Sequence, residues 1–395
     1  MTRVSRRLAA IAGSATMAVS ARAAELRAAG ADVVSFGAGE PDFATPEHIV
    51  EAAIAAARDP VNHHYTAAAG LIELRRAVAD NARQYSGIEV EPGQVIITNG
   101  GKQAVYMGMA ALLDPGDEAL LPAPYWVTYP ETVLLAGGKP VVVPTTIDDG
   151  FKVTPDSLEQ HRTPRTKVLV FVSPSNPTGV VYSPEEVKAL GNWAADNNVW
   201  VLTDEIYQRL VYGQTPFTSL PGAVGELGDR WVVVNGVAKS YAMTGWRLGW
   251  LIAAPDVAAA AGRLQTHLTS NVSNLSQRAA IAALTAPQDV VEEMRQAFDR
   301  RRRTMVSMLT AIDGVRCLEP EGAFYTFPDL SGFLGDRFPT SLALAEWILE
   351  EAEVAIVPGE AFGAPGYARL SYALSDDDLV RGVERMGEAL TSLRG

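Results

Sequence analysis

Cysteine is almost absent from this 395-residue chain: Cys317 is the only one. One thiol closes no internal disulfide and builds no cysteine-based metal site. It reads as a small apolar core residue rather than a reactive thiol. Long apolar runs are missing too. No stretch reaches the ~18 residues that cross a bilayer as a helix, so no membrane contact is expected. Basic charge is in deficit, with 33 Lys plus Arg against 46 Asp plus Glu and a net charge of −13. A nucleic-acid binder carries a basic patch or stripe, and no nucleic-acid partner is expected here. Internal repeats and low-complexity tracts are also lacking. What remains is 48% hydrophobic and 20% charged, a composition that supports a large globular core. The length suggests two or three domains, and the expected location is cytoplasmic.

The first 24 residues carry Arg3, Arg6, Arg7 and Arg22, with no acid before Glu25. That composition suits a mitochondrial transit peptide. The competing reading, adopted for a reason given below, is a structured N-terminal arm running into a helix through Ala21–Ala29.

Further along, short apolar runs alternate with helix-like segments. The expected strands are Val95–Thr98, Glu118–Leu121, Pro140–Val143, Val168–Val172, Trp200–Thr203, Trp231–Val234 and Leu248–Ala253. Most are apolar at successive positions, as in strands buried on both faces. Helices are expected over Lys102–Leu113 and Pro184–Asn197. This alternation predicts an α/β fold with a mostly parallel sheet flanked by helices. After about residue 290 the chain becomes helix-rich, with short strands expected at Gly322–Phe327 and Ala368–Ala373. That reads as a smaller α+β domain. The expected partition is 1–47 as arm and part of the small domain, 48–289 as the large domain and 290–395 as the small one. The basic run Arg300–Arg303 reads as a solvated helix face.

In an open α/β sheet, ligands bind beyond the carboxyl ends of the strands. The residues following each strand are therefore the candidates. Asn99-Gly100-Gly101-Lys102 lets backbone N–H groups and a helix N-terminus approach an anion such as phosphate; a plain strand-to-helix turn would explain the same residues. Asp204, at the end of a buried strand, needs a cationic partner, and a protonated pyridine nitrogen would serve; the alternative is a structural cap. Lys239 sits among small and apolar residues in Asn235–Ser240. Desolvation there would lower its pKa and make it a usable amine. Arg247 follows as a second cation for a phosphate. Asn176, in Ser173–Gly179, either donates to a ring oxygen or simply builds an Asn-Pro turn.

Together the segments Ser173–Gly179, Asp204–Tyr207, Lys239 with Arg247, and Arg369-Leu370-Ser371-Tyr372 resemble the fold-type I, class I aminotransferases that depend on pyridoxal 5′-phosphate (PLP). The likeness is greatest to the bacterial aspartate aminotransferases of the thermophile-like subgroup. It spans nearly the whole chain and begins near Ser5-Arg6-Arg7, which is why the arm is preferred to a transit peptide. The resemblance implies that Lys239 holds PLP covalently and that Asp204 partners its ring nitrogen. It implies that Asn176 and Tyr207 donate to the ring hydroxyl oxygen and that Trp126 stacks on the ring, with Tyr125 left to core packing. Gly100, Gly101 and Arg247 would contact the phosphate. Tyr65 would reach it from the other subunit of a homodimer. Gly39 and Arg369 would clamp the α-carboxylate of an amino-acid or 2-oxo-acid substrate. Lys102, and Ser14 and Thr16 on the arm, are candidates for a distal carboxylate. No metal is implied, and His63 and His64 are read as non-ligands.

Two positions depart from the pattern. Gly236 stands where some class I enzymes carry a phosphate-binding serine three residues before the lysine. Ala12 lies in a stretch where a basic residue accompanies prephenate use. The function implied is transfer of the amino group of L-aspartate, or a related amino acid, to 2-oxoglutarate in a ping-pong cycle. An aromatic, alanine or prephenate aminotransferase or a C–S β-lyase would use the same cofactor residues. A PLP-binding regulatory domain without turnover is the alternative of another class.

Overall fold

The computed structural model describes residues 3–394. After a single helical turn at Arg6–Ala9, the first long helix is α1 (Ala15–Ala28), starting six residues before the expected one with Ser14 as its N-cap. Seven strands then build the main sheet: β1 (Val95–Thr98), β2 (Glu118–Ala123), β3 (Lys139–Pro144), β4 (Thr166–Val172), β5 (Trp200–Asp204), β6 (Trp231–Gly236) and β7 (Gly249–Ala253). Their spatial order is β1-β7-β6-β5-β4-β2-β3. Only β7 runs antiparallel to its neighbours; the other pairs are parallel.

Successive residues of a strand feed two different cores. Ile96, Leu121, Val170, Leu202 and Val232 pack on one side of the sheet. Ile97, Leu120, Leu169, Val201 and Val233 pack on the other. This two-sided burial is why the runs are apolar without alternation. The exception is β3, a largely open edge strand. Its Lys139, Pro140 and Pro144 discourage a further strand from pairing there.

Helices α2 (Gly101–Leu112), α3 (Thr128–Leu135) and α4 (Pro184–Asp196) cover the sheet. The start of α4 is fixed by a reciprocal cap. Ser183 Oγ accepts from the Glu186 N–H at 3.2 Å, and Glu186 Oε2 accepts from the Ser183 N–H at 2.7 Å.

A second core gathers around helices α5 (Asp289–Thr310) and α6 (Asp376–Ser392). It holds three short antiparallel strands, β8 (Tyr325–Thr326), β9 (Val357–Pro358) and β10 (Ala368–Ser371), in the order β9-β10-β8. Two of these are shorter than their apolar runs suggest. The N-terminal segment contributes to this core through Val34 and Phe36, and Val34–Ser35 pairs with Val354–Ala355. Its earlier part turns the other way: the Ala12 N–H donates to Glu131 Oε2 on α3 at 3.2 Å.

The run Arg300–Arg303 is only in part the solvated face expected of it: Arg300 and Arg303 are exposed, but the middle pair is not. The side chains of Arg301 and Arg302 are only 10% and 8% exposed. Arg301 bonds Asp42 at 2.9 Å and Asp376 at 2.8 Å, and Arg302 bonds Asp299 and Glu319, both at 2.6 Å. These pairs tie α5 to the N-terminal segment and to α6. Among the described residues, no helix is long and apolar enough to cross a membrane.

Candidate active site

The parallel strands point their carboxyl ends at one edge of the sheet. Because β7 is antiparallel, it begins at that edge: Gly249 is in register with Thr98 on one side and Gly236 on the other. Residues just after β1, β2, β4, β5 and β6, and those just before β7, therefore converge.

After β1 the chain turns sharply at Gly100, whose φ is +80°. A side chain there would be strained, and its Cβ would lie 2.8 Å from Arg247 Nη2. Arg247, just before β7, also has a positive φ, and its Nη1 donates to the Thr244 carbonyl at 2.8 Å. The N–H groups at the start of α2 and this guanidinium form an anion cradle. The departure at Gly236 has a steric reason. A Cβ at Gly236 would sit 2.9 Å from both Gly249 Cα and the Leu248 carbonyl oxygen, so a serine has no room.

Asp204 ends β5 in full burial. Oδ1 accepts from the Ile206 N–H at 3.1 Å and Oδ2 from the Tyr129 hydroxyl at 2.9 Å. Both donors are neutral. Burial pushes the Asp204 carboxyl up to about 6, against the pull of these two hydrogen bonds. Such a group is poised to receive a cation.

Lys239 follows β6. Its amine donates to the Gly39 carbonyl and lies 6.0 Å from the centre of the Tyr207 ring and 5.6 Å from that of Phe324. Part of the side chain remains open, yet the amine is desolvated. Burial, then the charge of Arg369, pushes it down to about 8, while Glu40 and Asp204 pull the other way.

Arg369, on β10, is 2% exposed. Nη1 donates to Asn176 Oδ1 at 3.1 Å and Nη2 to the Gly37 carbonyl at 2.9 Å. Its guanidinium lies 4.5 Å from the centre of the Tyr325 ring and 5.2 Å from that of Phe362. Nε is buried with no partner among the described residues. With Oδ1 engaged, Asn176 is left with its amide NH₂ as a donor. Tyr207 and Tyr325 share a hydrogen bond at 3.0 Å. Gly39 stands over this group; a Cβ there would lie 3.6 Å from the Tyr325 hydroxyl and 3.9 Å from Arg369 Nη2.

A cavity of about 760 Å³ opens beside these residues, walled by Ser14, Lys102, Tyr125, Glu131, Arg247 and Glu360 among others. Lys102 Nζ lies 5.1 Å from the centre of the Trp126 ring. Burial, then the charge of Arg247, holds Lys102 below its ordinary range. Ser14 and Thr16 bond each other at 3.0 Å; only Ser14 lines the cavity. Tyr125 packs partly on the core as expected, but also faces this cavity. Tyr65 stands apart from the cavity walls and is 90% exposed.

Sequence reasoning missed Tyr129, Tyr325, Phe324 and Glu40. Tyr129 follows Trp126 at a spacing of three, one helical turn, and that was a usable signal. The place of Tyr325 depends on contacts with residues more than 40 positions away and left no local trace.

A buried acid next to the site has its own consequence. Glu205 accepts from Ser86 at 2.7 Å and from Ser219 at 2.6 Å, with no cation among the described residues bonded to it. Burial pushes it up to about 7. The folded state therefore keeps its proton where the unfolded chain has already lost it. This contribution to stability is whole below about pH 4.5 and is lost as pH rises to about 7, by on the order of 3 kcal/mol. Glu205→Gln removes the titration and keeps the shape. Its urea midpoint is expected to exceed that of the unmodified chain at pH 8 and to converge with it near pH 4.5. An equal difference at both pH values would refute the account.

Residues 31–386 match the family described as aminotransferase class I and II. An aspartate aminotransferase of Streptomyces avermitilis is 57% identical, over 99% of this chain and 97% of its own length. Among solved structures, the aspartate aminotransferase of Rhizobium meliloti superposes with a TM-score of 0.94 at 38% identity, covering 99% of both chains. That of Thermus thermophilus, solved with maleate, gives 0.92 at 42% identity, covering 98% of this chain and all of the other. Agreement over the full length, in sequence and in fold, makes this chain a member of the class I and II aminotransferases.

Proposed function

We propose that this chain is a PLP-dependent transaminase that moves the amino group of L-aspartate, or a close relative, to 2-oxoglutarate. The observation that carries the reading is the desolvated Lys239 amine at the mouth of the strands, bonded to the Gly39 carbonyl and within the fields of Arg369 and Asp204. The residues present fit PLP. The Gly100 turn, which a Cβ would fill, and Arg247 suit its phosphate. Asp204, bonded only by neutral donors, suits a protonated ring nitrogen. Lys239 suits its aldehyde.

When bound, PLP supplies the electron sink for breaking the bond between substrate Cα and hydrogen, and it carries the amino group between the two half-reactions. The chain does the rest. Arg369, its Nε unpaired, grips the α-carboxylate through a bidentate pair. Lys239 takes the proton from Cα. Asn176 and Tyr207 would hold the ring oxygen of bound PLP, Trp126 would cover its ring and Asp204 would hold its ring nitrogen. Lys102, with Ser14 on the same cavity wall and Thr16 bonded to Ser14, receives the distal carboxylate. Tyr65, so exposed in one chain, contacts the phosphate of a second copy in a homodimer.

The test is a half-reaction. Purified protein mixed with L-aspartate and no acceptor should lose its yellow absorbance and release oxaloacetate in a single stoichiometric burst. Lys102→Ala should raise the Michaelis constant for aspartate about tenfold or more, the order expected for losing a hydrogen bond to a charged group, and leave that for phenylalanine nearly unchanged. A protein that ignores aspartate but converts alanine or phenylalanine would end the dicarboxylic reading. Equal effects of Lys102→Ala on both substrates would end the role of Lys102.

A further inference from the structure

Asp204 has an unusual setting for a fully buried carboxylate. Among the described residues no cationic side chain bonds it; its hydrogen bonds come from the Ile206 N–H and the Tyr129 hydroxyl. The first is part of the turn that follows β5 and cannot move independently of it. The second is a side chain, and it is held from three directions. The Tyr129 N–H donates to the Trp126 carbonyl at 3.0 Å, and the Tyr129 carbonyl accepts from the Thr132 hydroxyl at 2.9 Å. The ring meets Trp126 edge to face, with centroids 5.4 Å apart and planes at 84°. Tyr129 is 2% exposed, so no water competes for its hydroxyl.

We propose that Tyr129 is a positioning residue: its hydroxyl sets the plane of the Asp204 carboxylate toward the cofactor ring nitrogen, and its ring braces Trp126. The inference rests on the proposed function. The argument is one of counting. Each carboxylate oxygen receives a single hydrogen bond from the protein, one on Oδ1 and one on Oδ2. Two bonds to two oxygens stop rotation about the Cβ–Cγ bond and leave the remaining lone pairs pointing in fixed directions. A buried acid with only the Ile206 bond could swing about it. The same hydroxyl stabilises the ionised carboxylate, because hydrogen bonds that favour the charged form are what keep a desolvated acid charged. A tyrosine here thus replaces the cation that a buried carboxylate ordinarily needs until the cofactor arrives.

The experiment uses the full chain freed of cofactor and two probes that cannot react with Lys239. One is 4′-deoxypyridoxine 5′-phosphate, which lacks the aldehyde. The other is its 1-deaza counterpart, which has carbon in place of the ring nitrogen. Affinities are read by fluorescence quenching. Tyr129→Phe should weaken the first probe about tenfold, the order expected for a hydrogen bond to a charged group, and leave the second unchanged. In a chain that already carries Asp204→Asn, Tyr129→Phe should have no further effect on the first probe, as a double-mutant cycle requires of a residue acting through Asp204. Equal weakening of both probes would reduce Tyr129 to packing and overturn the proposal. Unaltered binding of the first probe would overturn it as well. An unmodified chain that binds neither probe would remove the PLP reading itself. An unmodified chain that binds both, with no selective effect of Tyr129→Phe, would remove only the role of Tyr129.

Discussion

Lys239→Ala is expected to cost turnover on the order of 10⁴-fold, the upper end of what a positioned acid–base group contributes, while PLP still binds reversibly. The size of the loss follows from what surrounds the amine. With its pKa pushed down to about 8, roughly a tenth of Lys239 is neutral at pH 7, against well under a thousandth for an ordinary lysine. No neighbour replaces it. The Tyr207 and Tyr325 phenols are buried and held above their ordinary range, so neither is a base near neutrality. Glu40 accepts from the Thr244 hydroxyl at 2.7 Å and is held in that bond. Asp204 is buried on the Tyr129 side of the site. On the proposed function, removing the amine would leave the proton on substrate Cα without an acceptor, whereas the Gly100 cradle and Arg247 would still hold the phosphate. The check is turnover at saturating PLP, paired with equilibrium dialysis to show that cofactor is present. Turnover within about tenfold of the unmodified chain would remove Lys239 from the chemistry, because so small a change is that of one ordinary contact.

Lys239, Asp204 and Asn176 were legible in the sequence for one reason. Each follows an apolar run that could only be a doubly buried strand, and the carboxyl ends of such strands share an edge. The main sheet was legible on the same ground, and the one strand lying largely open, β3, carries its own edge marks in Lys139, Pro140 and Pro144. Resemblance, not spacing, singled out Arg369, since nothing local distinguishes an arginine in a four-residue strand. The illegible parts are those set by distant partners. Arg301 looked like surface charge because Asp42, to which it bonds, lies 259 residues away. Tyr129 was passed over because its hydroxyl partner, Asp204, lies 75 residues away. A charged run or an aromatic residue shows its type in the sequence, but its partner is assigned only when the chain closes.

Arg369 offers the second large effect, and Arg369→Lys separates geometry from charge. The guanidinium is held between Tyr325 and Phe362, with Nη1 on Asn176 and Nη2 on the Gly37 carbonyl. A planar fork can keep those two bonds and still present further N–H groups, Nε among them, to a carboxylate. A lysine ammonium is a point charge on a flexible stem with no fork. It would satisfy Asn176, Gly37 or the substrate, but not all three. The expected result is a fall in kcat/KM of roughly 10²–10³-fold, as for the loss of two hydrogen bonds to a charged group. Because a positive charge remains, the influence of Arg369 on Lys239 persists, so the pH at which Lys239 titrates should hardly move. The loss should also be the same for aspartate and phenylalanine, since both present an α-carboxylate. That pattern is the opposite of the one expected for Lys102→Ala. A loss confined to aspartate would place Arg369 on the distal carboxylate instead, and a shift in the Lys239 titration without a change in kcat/KM would make it an electrostatic neighbour, not a clamp.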